Sequence, residues 1–204
     1  MAIEGDGCMN DVTVLPLFPL HTVLFPGGYL PLRIFETRYI DMVRTCLREG
    51  SPFGVVLLKQ GGEVRQGDDD LTEFYELGAS ALIVDTDIGS DGMLHIEAQG
   101  QGRFRVLHSW SERNGLFRAE VEWLPEATLV ARSEADERLR NFLARIMENA
   151  DLQYPNASFD DPVWVVYRLL ERLPVKLEDR QRVLGAERLD LTVRHLSAMI
   201  AAFE

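Results

Sequence analysis

The chain has 204 residues, of which 46% are hydrophobic and 26% charged, so its composition is that of a globular protein with a substantial core. Its formal net charge of −12 argues against nucleic-acid binding, which requires a basic surface, and against attraction to anionic membranes. No apolar run reaches the roughly 20 residues that cross a bilayer, and residues 1–10 lack the pattern of a signal peptide. We therefore predict a cytoplasmic protein.

The front segment, LPLFPLHTVLFPGGYLPLRIFETRYIDM from Leu15 to Met42, combines dense apolar residues with prolines. Because proline cannot donate to a β-ladder, the prolines are expected to divide the segment into short strands at a barrel rim. They are Pro16, Pro19, Pro26 and Pro31. Gly27 and Gly28 are expected to supply the bend that Pro26 begins.

A helix is predicted from Thr37 to Glu49, with Gly50 as a left-handed cap and Pro52 preventing its continuation. Apolar residues at helical spacing form one of its faces: Tyr39, Ile40, Val43 and Leu47. The run PFGVVLLK that follows predicts a short central strand, because it has little polar interruption.

Two β-hairpins are predicted after this strand. The first turns through Asp91-Gly92, with a loop that can extend back to Gly89, and the second joins GRFRVLHSW to LFRAEVEWL. In the last of these strands apolar residues alternate with charged ones, which indicates one buried and one solvent-exposed face. The apolar residues are Phe117, Ala119, Val121 and Trp123.

After about Pro125 the apolar spacing becomes helical. Asp161-Pro162 begins a helix that ends before Pro174, and a short helix ends at Gly185. The apolar residues of the last helix form one narrow seam: Leu189, Val193, Leu196, Ile200 and Phe203. Packing within a small bundle is the favoured interpretation of this seam, and a dimer contact is the alternative, so monomer and homodimer both stay open.

The front segment resembles the opening of the N-terminal, substrate-binding domain of Lon proteases. The shared pattern is a Leu-Pro-Leu strand, an apolar-Phe-Pro-Gly step, a second proline-bearing strand and an Ile/Phe-Glu-x-Arg-Tyr helix entry. FGVVLL, ELGASALIVD and DGMLHIEAQGQGRFRV are similar to the family's next strands. LLERLPVKLEDRQRVLGAERLDLTVRHL resembles the C-terminal helices of its stand-alone members.

The resemblance implies an α+β protein: a PUA-like β pseudo-barrel with one packed helix, followed by an all-α helical subdomain. The change of pattern along the chain agrees with this division. We place a flexible N-terminus at residues 1–10, the barrel domain at 11–125 and the helical subdomain at 126–204.

The catalytic patterns of full-length Lon proteases are missing from this sequence. Their ATPase needs G-x-x-x-x-G-K-[ST], and neither Lys59 nor Lys176 follows a glycine. Their peptidase needs a serine activated by a lysine, and neither lysine lies in such a motif. We therefore predict a stand-alone, non-catalytic member that requires no cofactor.

A metal or proton-transfer cluster is a weaker candidate. His95 and Glu97 share one face of a predicted strand, and a nearby strand would carry His108. No third ligand is evident, so ordinary histidines are the favoured interpretation, and no metal is predicted. The acidic run at residues 68–70 lacks the ligand spacing of a calcium loop, and the two cysteines fit no zinc or redox pattern.

The resemblance implies a protein- or peptide-binding module that recognises unfolded or degradation-targeted polypeptides, with a separate protease as a further partner. Contact would come from an exposed apolar groove together with an open strand edge that accepts an extended peptide. Candidate contact residues are aromatic, and core packing is the competing role for each of them. They are Phe25, Tyr29, Phe35, Tyr75 and Trp110.

Two other functions compete with peptide binding. An RNA-binding module would need a convergent arginine face, for which the candidates are Arg103, Arg105, Arg113 and Arg118. An enzyme of unknown reaction would need the group of His95, Glu97 and His108 in a pocket.

Overall fold

A computed structural model describes residues 13–60, 62, 72–90, 92–129, 134–149, 154 and 156–202. The strands are β1 (Thr13–Leu20), β2 (Tyr29–Ile34), β3 (Phe53–Gln60), β4 (Glu73–Ile88), β5 (Leu94–Ser111) and β6 (Phe117–Trp123). The helices are α1 (Thr37–Glu49), α2 (Glu134–Asn149), α3 (Pro162–Arg172), α4 (Leu177–Leu184) and α5 (Asp190–Ala201). None of the helices in the described part of the chain is both long and apolar enough to span a membrane.

The strands close into a pseudo-barrel around the long strand β5. The sheet order is β2-β5-β4-β3-β1-β6, and β6 pairs with β5 again, which closes the ring. The first part of β5 pairs with β2 and its last part pairs with β6, while β4 lies along the other side. Among the pairs of described strands, β1 with β3 is the parallel one, and the others are antiparallel. The predicted α+β arrangement of a barrel followed by helices is confirmed.

Strand β1 contradicts the expectation that Pro16 and Pro19 break the front segment, because it runs unbroken with both inside it. It pairs with β6 only as far as Leu17 and with β3 only from Leu17 onward. Pro16 therefore lies before the β3 ladder begins, and Pro19 lies after the β6 ladder has ended. Each proline has one side without a neighbouring strand, so its missing N–H breaks no ladder. Pro26 does lie in a break, between β1 and β2.

Helix α1 has the predicted bounds and packs on one end of the barrel. Gly50 caps it with φ 60°, and its N–H donates to the carbonyl oxygen of Cys46. The prediction that Leu47 belongs to the buried face is wrong, since its side chain is 48% exposed. Met42 and Cys46 complete that face and contact the barrel residues of the same apolar cluster.

Both predicted hairpins are present. The β4–β5 turn includes Gly89, whose N–H donates to the carbonyl oxygen of Met93 at 2.9 Å, and Gly92 with φ 76°. In β6, Ala119 and Val121 are buried as the alternation predicts. Trp123 departs from the predicted buried face, since it is 41% exposed and its indole N–H donates to Thr13 Oγ1.

The helical region shares a core with the barrel. The seam of α5 is buried within its own chain, which confirms the bundle interpretation over residues 189–200. Barrel side chains join the same apolar cluster, among them Val23, Phe25 and Leu57. Asp161 caps α3 by accepting the N–H of Val163, and Pro162 occupies the first helical position as predicted. Phe203, the residues at 1–10 and the acidic run at 68–70 lie outside the described residues.

Candidate functional site

A groove opens between strands β1 and β2, at the end of the barrel where β5 pairs with β2 instead of β6. Strand β2 pairs only with β5 among the described strands, and β1 beyond Leu17 pairs only with β3. One edge of β2, and one edge of β1 beyond Leu17, therefore have no neighbouring strand in the described part of the chain, and helix α1 packs nearby. We call this opening the β1–β2 groove, with a volume of about 170 Å³.

The β1–β2 groove has an apolar floor and a partly open rim. Its floor consists of four buried side chains: Phe18, Leu20, Ile34 and Tyr39. The rings of Phe18 and Tyr39 stack with centroids 3.9 Å apart. Phe35 stands at the rim with 54% of its surface exposed, and Leu32 is half-buried beside it.

A buried arginine fixes the end of the groove at the start of α1. Arg38 forms an ion pair with Glu36 at 2.9 Å and donates to the carbonyl oxygen of Gly115 at 2.8 Å. Its guanidinium carbon lies 4.6 Å from the centre of the Tyr39 ring. These contacts tie the segment beside Phe35 to the β5–β6 turn, so the rim is held in place by the fold.

Two of the predicted contact residues lie at or next to the ends of β2. Phe35 follows the strand directly and lines the groove. Tyr29 begins the strand, is half-buried and does not line the groove. Its hydroxyl accepts from Gln99 Nε2 at 3.2 Å, and its ring lies 6.0 Å from that of Tyr154. Only Phe35 of this pair offers a large free surface.

The other predicted contact residues do not join this site. Phe25 has no exposed surface and stacks on Tyr167 with ring centroids 4.8 Å apart, so a peptide cannot reach it in this conformation. Tyr75 is half-buried against the helical core, with Lys59 Nζ 4.9 Å from its ring centre. Trp110 is half-buried and stacks on His108, far along β5 from its pairing with β2.

The proposed cluster of His95, Glu97 and His108 does not form. Both histidines belong to the same strand β5, contrary to the expectation of two strands. His95 pairs across from Arg33 and Asp87 near the start of β5, whereas His108 pairs across from Glu120 near its end. Among the described residues, no group of three or more His, Cys, Asp or Glu side chains could hold a metal ion.

The four candidate arginines do not form one basic face. Arg103 is buried, and it donates to backbone carbonyl oxygens of the helical region. Arg118 is paired with Glu112, while Arg105 lies across from Glu122 in the β5–β6 ladder. Arg113 is exposed in the turn between β5 and β6. The described residues therefore offer no convergent arginine surface here for a phosphate backbone.

Cys46 is the one cysteine within the described part of the chain, and it lies under α1. Burial raises the pKa of its thiol, which disfavours the reactive thiolate. With a side chain that is 3% exposed, Cys46 belongs to the apolar core.

The sequence did not predict which residues form the floor of the groove. Phe18, Ile34 and Tyr39 come from β1, β2 and α1, and no local pattern pairs them. The available signal was the proline in each of two successive strands, Pro19 and Pro31, because proline is tolerated where a strand has an unpaired side.

Residues 14–200 match the family model of the ATP-dependent protease La (LON) substrate-binding domain. The chain belongs to this family. It is 30% identical over 190 residues to Lon protease 2 of Myxococcus xanthus, covering 89% of this chain and 22% of that protein. It is 28% identical over 127 residues to protein cereblon of Gallus gallus, covering 62% of this chain and 26% of that protein.

Solved structures of this family share the fold. The Lon N-terminal domain protein from Xanthomonas campestris superposes with a TM-score of 0.72 at 35% identity, covering 92% of this chain and 98% of that one. The N-terminal domain of Mycobacterium avium complex Lon protease gives a TM-score of 0.61 at 18% identity, covering 90% and 96%. The chain is 28% identical over 180 residues to the Lon protease of Anaeromyxobacter dehalogenans. The match covers 84% of this chain and 21% of that protein, so the chain spans about a fifth of the length of the Lon proteases it matches.

Proposed function

We propose that this chain binds extended, non-native segments of other polypeptides and holds one apolar side chain of the segment in the β1–β2 groove. The observation that carries the proposal is an apolar groove between two strand edges that have no neighbouring strand among the described residues. Membership of a substrate-binding domain family supports the same class of partner.

The size of the groove favours a side-chain anchor over a small-molecule ligand. Small-molecule pockets usually enclose about 300–1,000 Å³, and the β1–β2 groove has about 170 Å³. Exposed strand edges let an extended segment lie alongside the anchor, as in β-strand addition. Pro31 removes one donor from the β2 edge, so recognition rests more on the anchor than on a complete ladder. The net charge of −12 favours basic or neutral segments.

We further propose that binding, not catalysis, is the role of these residues. The sequence has neither the phosphate-binding pattern of an ATPase nor a serine–lysine peptidase motif. The chain then acts as a cytoplasmic adaptor that presents unfolded or degradation-targeted polypeptides to a separate protease.

Peptide binding tests this proposal directly. The probe is a fluorescein-labelled 12-residue disordered peptide of Ser, Gly and Lys with one central Leu, and its partner carries Asp in place of Leu. We expect the Leu peptide to bind and the Asp peptide not to bind, measured by fluorescence anisotropy. Phe35→Ala removes the exposed rim of the groove and should weaken binding about tenfold, a loss typical of an anchor contact.

Ile88→Ala is the matched control, because Ile88 is 73% exposed on the β4–β5 hairpin, outside the groove. It should bind the Leu peptide as the unmodified chain does. Equal loss in both variants would show that general surface hydrophobicity, and not the groove, holds the peptide. Equal binding of the Leu and Asp peptides would contradict the anchor.

A further inference from the structure

A second groove lies at the seam between the barrel and the helical region. It has a volume of about 480 Å³, within the range of small-molecule pockets, and shares no lining residue with the β1–β2 groove. We call it the seam groove. One wall is the β5 segment from Gln99 to Arg103, which runs from the last β5 residue that pairs with β2 to the residue before the first that pairs with β6. The start of α3 forms the facing wall.

Arg103 makes the barrel wall of the seam groove rigid. Its side chain is 3% exposed and donates to the carbonyl oxygens of Leu184 at 2.7 Å and Ala186 at 2.6 Å. It also donates to the carbonyl oxygen of Pro125, which lines the groove. These bonds join β5, the segment after β6 and the end of α4, so the groove is formed before any ligand arrives.

Tyr167 places a buried hydroxyl without a hydrogen-bond partner at this groove. Its side chain is 2% exposed, and its hydroxyl has no hydrogen-bond partner among the residues that the structure describes. The charged groups that act on this hydroxyl include Arg103, Asp161 and Glu126, all of which line the seam groove. Stacking on Phe25 prevents the ring from turning away. Burial raises the pKa of Tyr167, so the hydroxyl keeps its proton and stays a donor.

Charges of opposite sign line the seam groove. The Arg103 guanidinium is buried in the wall, whereas Glu126 and Asp161 are exposed at the rim. An anion would meet the rim carboxylates, and a cation would meet the buried guanidinium. A neutral group with an acceptor at one end and a donor at the other satisfies both sides.

We propose that the seam groove binds a small neutral ligand that carries a carboxamide group. Its carbonyl oxygen accepts a hydrogen bond from the Tyr167 hydroxyl. The hydroxyl oxygen of Tyr167 has almost no accessible surface in the ligand-free protein, so the side chains around it move to uncover it when the ligand binds. The N–H of the ligand faces the carboxylates of Glu126 and Asp161. The unpaired hydroxyl has a cost in the ligand-free protein and gains a partner in the complex. Its position in a preformed groove at a junction of two regions matches the usual setting of ligand sites.

Three probes of one shape and different charge test this assignment: cyclohexanecarboxamide, cyclohexanecarboxylate and cyclohexylmethylammonium. Binding to the full chain is followed by proton–nitrogen NMR, using the indole N–H of Trp164, which lines the groove. Trp110→Phe and Trp123→Phe variants identify that signal. We expect the amide to shift it in a saturable way, and neither ion to do so. Stronger binding of either ion, or no shift with the amide, would overturn the proposal.

Tyr167→Phe separates a ligand site from ordinary packing. It should raise the amide dissociation constant at least tenfold, while the ligand-free variant melts at the same temperature as the unmodified chain or higher, because the lost hydroxyl had no partner. Tyr75→Phe, outside the groove, should bind the amide normally. Unchanged amide affinity in Tyr167→Phe would show that the amide does not bond to this hydroxyl. A lower melting temperature without ligand would show that the hydroxyl stabilises the fold instead.

Discussion

At the residue scale, the turn before β2 depends on two glycines for two different reasons. Gly27 has a φ of 72°, a left-handed conformation that other residues rarely adopt. Gly28 has an ordinary φ, but a Cβ there would lie 2.4 Å from Glu171 Oε1 and 3.0 Å from the carbonyl oxygen of Phe25. The sequence predicted a bend at this pair. It did not reveal that the helical region presses against Gly28.

Gly27→Ala and Gly50→Ala separate backbone strain from crowding. Gly50 has a similar φ of 60° with no atom within 4 Å of an added Cβ, whereas at Gly27 that Cβ would lie 3.0 Å from Trp164 Cδ1. Both variants should lose about 1 kcal/mol through strain, and Gly27→Ala about 1 kcal/mol more through crowding. Urea denaturation measures the difference, and equal losses would contradict the crowding.

At the element scale, local elements were predictable and their assembly was not. Helix α1 and both hairpins follow from spacing and turn residues within one segment of chain. The closure of the ring depends on β5 pairing with three strands, and nothing local shows that His95 and His108 share one strand. The unbroken β1 was missed for the same reason, because a proline is harmless only where a particular ladder is absent.

Pro31 protects the free edge of β2 from other strands. It lies in the middle of the strand and removes one donor from an edge that has no neighbour among the described strands. Pro31→Thr should therefore increase concentration-dependent self-association, measured by sedimentation velocity, with little change in the fold. Pro174→Thr, at an exposed position between helices, is the control and should stay unchanged. Equal association of the two variants would show that the β2 edge is not the protected feature.

At the scale of the whole molecule, a buried charged pair joins the barrel to the helical region. Arg168 of α3 is fully buried and donates to the carbonyl oxygen of Pro26 at 3.0 Å and to Glu171 at 2.8 Å. Its Nε and Nη1 have no hydrogen-bond partner within the described part of the chain, and the guanidinium lies over the ring of Trp164. Burial removes both the guanidinium and the carboxylate from water, so the stability of the junction depends on the protonation of Glu171.

The junction predicts how stability changes with pH. Burial raises the pKa of Glu171 from 4.5 to about 7, although Arg168 acts in the opposite direction. The folded chain therefore holds a proton that the unfolded chain has already released, and the free energy of unfolding falls as pH rises from about 4.5 to about 7. Glu171→Gln cannot titrate and should lack this fall.

The measurement is the difference in melting temperature between the unmodified chain and Glu171→Gln at several pH values. Relative to the variant, the unmodified chain should lose on the order of 2 kcal/mol across this window, because partial solvent contact reduces the full linkage value. That loss corresponds to roughly 4–8 °C for a chain of this size. All other titrating groups are common to both proteins and cancel in the difference. If the difference in melting temperature does not change with pH, Glu171 stays ionised beside Arg168 throughout. If the unmodified chain instead loses stability relative to the variant at acidic pH, the ion pair stabilises the junction.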